Sequence, residues 1–189
     1  MKKFLAAGVI AFALASTPQA QANSFDLNLN DYSIQAKLAG PVGYQGHSEL
    51  GARALYNENR KLFLTSLDLE FKAELEEGVG IGVGPGFLAG RKRHDVANQN
   101  IFGVPMGLRL YYYPPALGGL GIQGKVFYTP KFLSFSDLDR MLESRLRVGF
   151  SISRSLQIYA EYQHMRAKLD DIGSKTVDDN FRVGFRARF

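Results

Sequence analysis

The sequence has no cysteine, no tryptophan and only three histidines, and it contains no run of about 20 apolar residues. Without cysteine there is no disulfide to staple the fold and no thiolate to hold a metal. The histidines, His47, His94 and His164, are scattered at no ligand spacing, so no metal site and no cofactor is expected. The missing apolar run excludes a transmembrane helix. Basic residues exceed acidic ones only modestly, for a formal net charge of +5, and both signs are dispersed along the chain. That pattern gives no support to a nucleic-acid partner.

The first segment, MKKFLAAGVIAFALASTPQAQA, has a different composition. Lys2 and Lys3 precede an apolar stretch from Phe4 to Ala15, and Ala20-Gln21-Ala22 is the small-x-small pattern of a cleavage site. This reads as a secretory signal peptide over residues 1–22, with cleavage after Ala22, leaving residues 23–189 as a single domain.

From there on, period two dominates. Phe63, Thr65, Leu67, Leu69, Phe71 and Ala73 share one face, opposed by Ser66, Asp68, Glu70 and Lys72. Phe102, Val104, Met106, Leu108, Leu110 and Tyr112 oppose Gly103, Pro105, Gly107, Arg109 and Tyr111. Leu142, Leu146, Val148, Phe150 and Ile152 oppose Glu143, Arg145, Arg147 and Gly149. Strands of about 10–14 residues match the length a tilted strand needs to cross a bilayer. Short connections at 76–78, 114–118 and 153–155 alternate with long polar ones at 91–100, 129–140 and 169–180. Such sorting suits an outer-membrane barrel with tight periplasmic turns and longer outer loops.

The chain closes on FRVGFRARF. Phe181, Val183, Phe185 and Ala187 would face lipid, with Phe189 in the aromatic girdle and Arg182, Arg186 and Arg188 inward or at the rim. Phe181, Val183, Phe185 and Phe189 also resemble the signal by which outer-membrane proteins are recognised for insertion. Working back from Phe189, strands fall near 179–189, 155–168, 141–153, 119–129, 100–113, 79–90, 61–75 and 46–57. Upstream, Phe25, Leu27 and Leu29 alternate, then Tyr32, Ile34, Ala36 and Leu38 on the other parity, with Asn30-Asp31 as turn residues. A hairpin there gives an all-β, antiparallel transmembrane barrel of ten strands; eight is the alternative.

The inward charges are Asp68, Glu70, Lys72, Arg109, Lys125, Glu143, Arg145, Arg147, Glu161, Arg182 and Arg186. Mixed signs can pair and fill a small barrel, or line a narrow anion-favouring pore. In GVGIGVGPG, Gly78, Gly80, Gly82 and Gly84 face inward and leave space for long side chains opposite; a P-loop is excluded by the missing lysine and hydroxyl. For catalysis, His94-Asp95 with Ser134 or Ser136 has the residue types of a lipid A palmitoyltransferase barrel. Nothing in the sequence brings a nucleophile, base and orienter together, and His164 lacks the neighbouring serine a lipid A deacylase needs. No catalytic residue is assigned.

The segments SFDLNLNDYSIQ, GARALYNEN, VFYTPKFLSFSDLDR and YAEYQHMRAKLDD…NFRVGFRARF resemble the YfaZ family of predicted bacterial outer-membrane proteins over the whole mature chain. The resemblance implies an outer-membrane barrel with no assigned catalytic or binding residues. The expectation is therefore a monomeric, non-enzymatic outer-membrane barrel, structural or narrow-pored. Its partners would be outer-membrane lipid and lipopolysaccharide, with barrel-assembly machinery and periplasmic chaperones during biogenesis. The alternatives are a lipid A-modifying enzyme and a soluble periplasmic ligand-binding barrel with an apolar interior.

Overall fold

Alternating side chains need a sheet with two different faces, and a sheet of ten long strands escapes open edges by closing on itself. The computed structural model describes residues 23–43, 47–93, 98–169 and 173–189. The strands are β1 (Ser24–Leu29), β2 (Ser33–Val42), β3 (Ser48–Asn57), β4 (Leu62–Glu76), β5 (Val79–Arg93), β6 (Asn98–Gly103), β7 (Met106–Tyr112), β8 (Leu120–Thr129), β9 (Ser134–Ser136), β10 (Leu138–Ser151), β11 (Leu156–Leu169) and β12 (Gly173–Arg188). β6 and β7 follow one another as a single wall strand beside β5, and β9 is an accessory piece, so the wall has ten antiparallel strands. β1 pairs with β12 from Ser24↔Arg188 to Leu29↔Val183, which closes the barrel. Asn23 and Phe189 exchange two backbone hydrogen bonds just beyond that seam. The signal-peptide segment lies outside the described residues.

Local chemistry places the turns. Asn30 Oδ1 accepts hydrogen bonds from the Tyr32 and Ser33 amides, the Asx turn that converts the first alternating stretch into a β1–β2 hairpin. Gly78 ends the β4–β5 hairpin at φ 76°, and a Cβ there would overlap the Tyr113 carbonyl. It is a turn residue, not the inward strand position expected from its parity. The Ser153 hydroxyl accepts from the amides of Ser155 and Leu156 and turns β10 into β11. Pro105 has no N–H to give, and β6 and β7 are offset around it. Its carbonyl still accepts from the Gly86 amide, and the Val104 amide goes to the Leu133 carbonyl.

Asn23, Phe189, the strand ends Val42 and Ser48 and the connections at 77–78, 113–119 and 152–155 lie at one end of the barrel, the terminal end. The connections at 30–32, 58–61 and 130–137 lie at the far end, as do the strand ends Arg93, Asn98, Leu169 and Gly173. Two of the three long far-end loops expected from sequence are therefore mostly strand. β5 runs on to Arg93 and β6 starts at Asn98, while β12 begins at Gly173. In the third, β9 pairs with β6 from Ile101↔Ser136 to Gly103↔Ser134. The physical reason is the same in each case: polar side chains do not interrupt a ladder whose backbone groups keep finding partners. The two ends differ by strand overhang at the far end and not by loop length.

Candidate functional site

The two faces of the wall are chemically opposite. Every wall strand presents large apolar side chains outward, among them Leu29, Ile34, Leu50, Phe63, Leu67, Phe87, Leu108, Ile122, Val148, Ile158 and Val183, all exposed. Phe181, Val183, Phe185 and Phe189 are likewise on the outside, and Phe185 packs edge-to-face on Phe25. Inside are charges. Each sequence-assigned lumen residue faces inward, and all are buried except Lys72 and Arg186, which are half-buried toward the terminal end. An apolar interior, which a soluble ligand-binding barrel needs, is absent from the middle of this barrel.

The charges form linked clusters. In the first, Glu143 accepts from Arg53 at Oε2 (3.0 Å), from Arg145 and from the Gln163 amide (3.1 Å). In the second, Arg147 bridges Asp26 and Glu161, each at 2.7 Å, with its guanidinium 3.7 Å from the centre of the Tyr159 ring. Arg186 joins Asp26 at 3.0 Å, and Glu161 also accepts from Asn28. A third cluster ties Lys37 and Lys125 to Asp68, Lys125 and Arg109 to Glu70, and Lys72 to Glu49. The fourth is Arg182 with Asp178 at 2.7 Å, neither side chain exposed at all, held by Asn57, Ser33 and Gln163.

Five members escaped the sequence assignment: Asp26, Lys37, Glu49, Arg53 and Asp178. The first four stand on the inward parity of strands that the sequence located without resolving their inner faces. Asp178 is different. A bulge opposite Met165–Arg166 turns both Val177 and Asp178 inward, and no strict alternation could reveal it.

Above the charges, toward the far end, the interior becomes apolar. Leu55, Leu62, Leu64, Leu88, Ile101, Leu138, Met141, Met165, Ala167, Leu169 and Val177 form one buried cluster. The inward Leu62 and Leu64 thus belong to a plug at one end, not to a ligand cavity. Between the plug and the ion pairs lies a cavity of about 10 Å³, lined by Arg53, Ser66, Asp68, Leu88, Met141 and Glu143, with room for about one water. Inward glycines sit where long side chains need the volume. A Cβ at Gly82 would overlap the Glu70 carboxylate, and one at Gly51 would overlap the end of Lys37.

The catalytic candidates are not assembled. His94 lies outside the described residues. Ser134 and Ser136 are in β9, and the Ser134 hydroxyl donates to the Pro130 carbonyl. His164 faces outward, with Nδ1 3.6 Å from Asp179, which also accepts from the Tyr162 hydroxyl at 2.7 Å. Among the described residues no group of three His, Cys, Asp or Glu is placed to hold a metal ion.

No family model matches the sequence, and no curated protein matches it. Among solved structures, the chain is similar to the KdgM porin, with 10% identity over 89% of this chain and 99% of that one, at a TM-score of 0.44. It is similar to the NanC porin at 10% identity, covering 89% and 98%, with a TM-score of 0.41. The outer membrane channel DcaP of Acinetobacter baumannii gives 10% identity and a TM-score of 0.45; 92% of this chain spans 60% of that one.

Proposed function

We propose that this chain is an integral outer-membrane β-barrel, closed and non-enzymatic, whose role is structural and not conductive. One observation carries the reading: the barrel carries an apolar band around its outer surface on every wall strand and is ion-paired within. Water cannot serve as solvent for a continuous apolar band of this extent, and lipid can. The termini then face the periplasm and the overhanging strand ends face out. Removal of residues 1–22 by signal peptidase and the YfaZ-like sequence segments fit this location. Outer-membrane lipid and lipopolysaccharide would surround the barrel. Barrel-assembly machinery and periplasmic chaperones would deliver it, with the Phe181–Phe189 strand as the insertion signal.

The closed state is supported by pairing and by packing. The interior cations in ion pairs are Lys37, Arg53, Lys72, Arg109, Lys125, Arg145, Arg147, Arg182 and Arg186, and each contacts a carboxylate. Among the described residues, Arg188 at the terminal rim is the one inward arginine outside these pairs, which leaves no ring of free arginines to select anions, and the apolar plug blocks the far end. Fractionation tests the location: the protein should stay with outer membranes through a urea wash and migrate faster on gels before heating than after. Recovery in the urea-soluble periplasmic fraction would sink the proposal.

A further inference from the structure

Among the described residues, the arginines inside the barrel all meet carboxylates except Arg188 at the terminal rim, but on the outer surface of the far end several do not, Arg140 and Arg166 among them. Arg140 on β10 and Lys168 on β11 are register partners on the same face. Like charges directly opposite on a sheet are destabilising. Lys168 relieves this in part by bending to Asp139 at 2.8 Å, where Lys131 also arrives at 3.4 Å. Arg140 is exposed and makes no ion pair among the described residues. Arg166, the diagonal neighbour of Arg140, is register partner of Leu142, and its Nε donates only to the neutral Ser174 hydroxyl at 2.8 Å. Two guanidiniums therefore stand side by side on the outer wall without an anion.

The surroundings of the pair say what fits there. Along the same outward face, Leu142 and its register partner Tyr128 are exposed, and Leu146, Val148 and Tyr162 continue the apolar band. A molecule meeting both regions needs acyl chains on one side and negative charge on the other. Phosphate suits a pair of forked guanidiniums, since each can donate two parallel hydrogen bonds. We propose that Arg140 and Arg166, with Lys168 beside them, form a docking site for the phosphate of an outer-leaflet lipid whose acyl chains lie along Tyr128, Leu142 and Leu146. The site rests on the outer-membrane reading, which sets this end in the phosphate-rich outer leaflet.

The test is native mass spectrometry of the detergent-solubilised barrel offered diphosphoryl lipid A and its dephosphorylated form. Wild type should retain the phosphorylated lipid preferentially. Arg140→Ala and Arg166→Ala should each weaken that preference roughly fivefold, as expected for one basic residue at a charged membrane surface. Inorganic phosphate at millimolar concentration should not displace the lipid, because it brings no acyl chain. Equal retention of both lipids, unchanged retention by the double variant, or displacement by phosphate alone would each overturn the site. Heat-modifiable migration of the same samples reports separately on the barrel. A folded, membrane-inserted variant that loses the lipid supports the site, whereas failure of the wild type to insert overturns the underlying reading instead.

Discussion

Glu143 is the residue on which the interior depends most. It accepts from Arg53 and Arg145, and its side chain is almost fully buried. Glu143→Gln leaves two buried guanidiniums without their carboxylate, and breaking a buried pair this way costs about 3–5 kcal/mol. Glu49→Gln, at the more exposed terminal end, should cost clearly less. Urea unfolding in liposomes checks the order, and equal losses would show that water reaches the Glu143 cluster. On the other face, Val148→Arg and Leu108→Arg each put a charge into hydrocarbon, at about 2–4 kcal/mol near the midplane and less toward the interfaces. A negligible effect of both in the same assay would mean that this surface does not contact lipid. That Glu143 and Val148 stand on opposite faces of one strand was legible in the sequence, because that strand keeps an unbroken period two there. The identity of the Glu143 partner was not: Arg53 is 90 residues away, and only ring closure brings the two together.

At the scale of the element, the last strand does two jobs. Phe189 exchanges backbone hydrogen bonds with Asn23 at the seam, while its exposed ring extends the outward row of β12. Deleting the residue removes both functions at once, so Phe189→Asp is the sharper variant, since it keeps the backbone pairing. It should lower the amount of protein assembled into the outer membrane while changing the unfolding midpoint of the folded barrel little. Unchanged membrane levels would show that the ring is not an insertion signal. Strand ends were the least legible elements. The sequence places polar loops at 91–100 and 169–180, yet most of those residues are paired. Side-chain polarity reports where the lipid ends, whereas strand length is set by backbone pairing, which continues into water. The loop at 130–137 hides β9 for a related reason: three residues carry too little periodicity to register.

For the whole molecule, the lumen has two barriers in series, the ion-pair layer and the apolar plug. Planar bilayers containing the wild-type barrel should show only background conductance. Removing one internal cluster as a unit, with Arg53→Ala, Glu143→Ala and Arg145→Ala together, avoids leaving a bare charge and should still give a silent barrel, because Leu62, Leu64 and Leu88 close the far end. Adding Leu64→Ala and Leu88→Ala should open a small conductance. A sugar-passing channel in the wild type would refute the closed reading.

The sequence by itself determined the antiparallel strands and their two chemically distinct faces and favoured ten strands over eight, because these follow from local alternation and turn chemistry; the β1–β2 hairpin and its closure on β12 decided for ten. Only the tertiary structure decided which face is inside, since an alternating strand is the same string of residues for a soluble barrel and for a membrane one. Closing ten strands into a ring makes the choice. The enclosed face holds Arg182, Asp178 and their partners at pairing distance, where each charge finds its complement. The plug was likewise invisible, because its residues come from separate strands whose far ends converge only when the wall is closed.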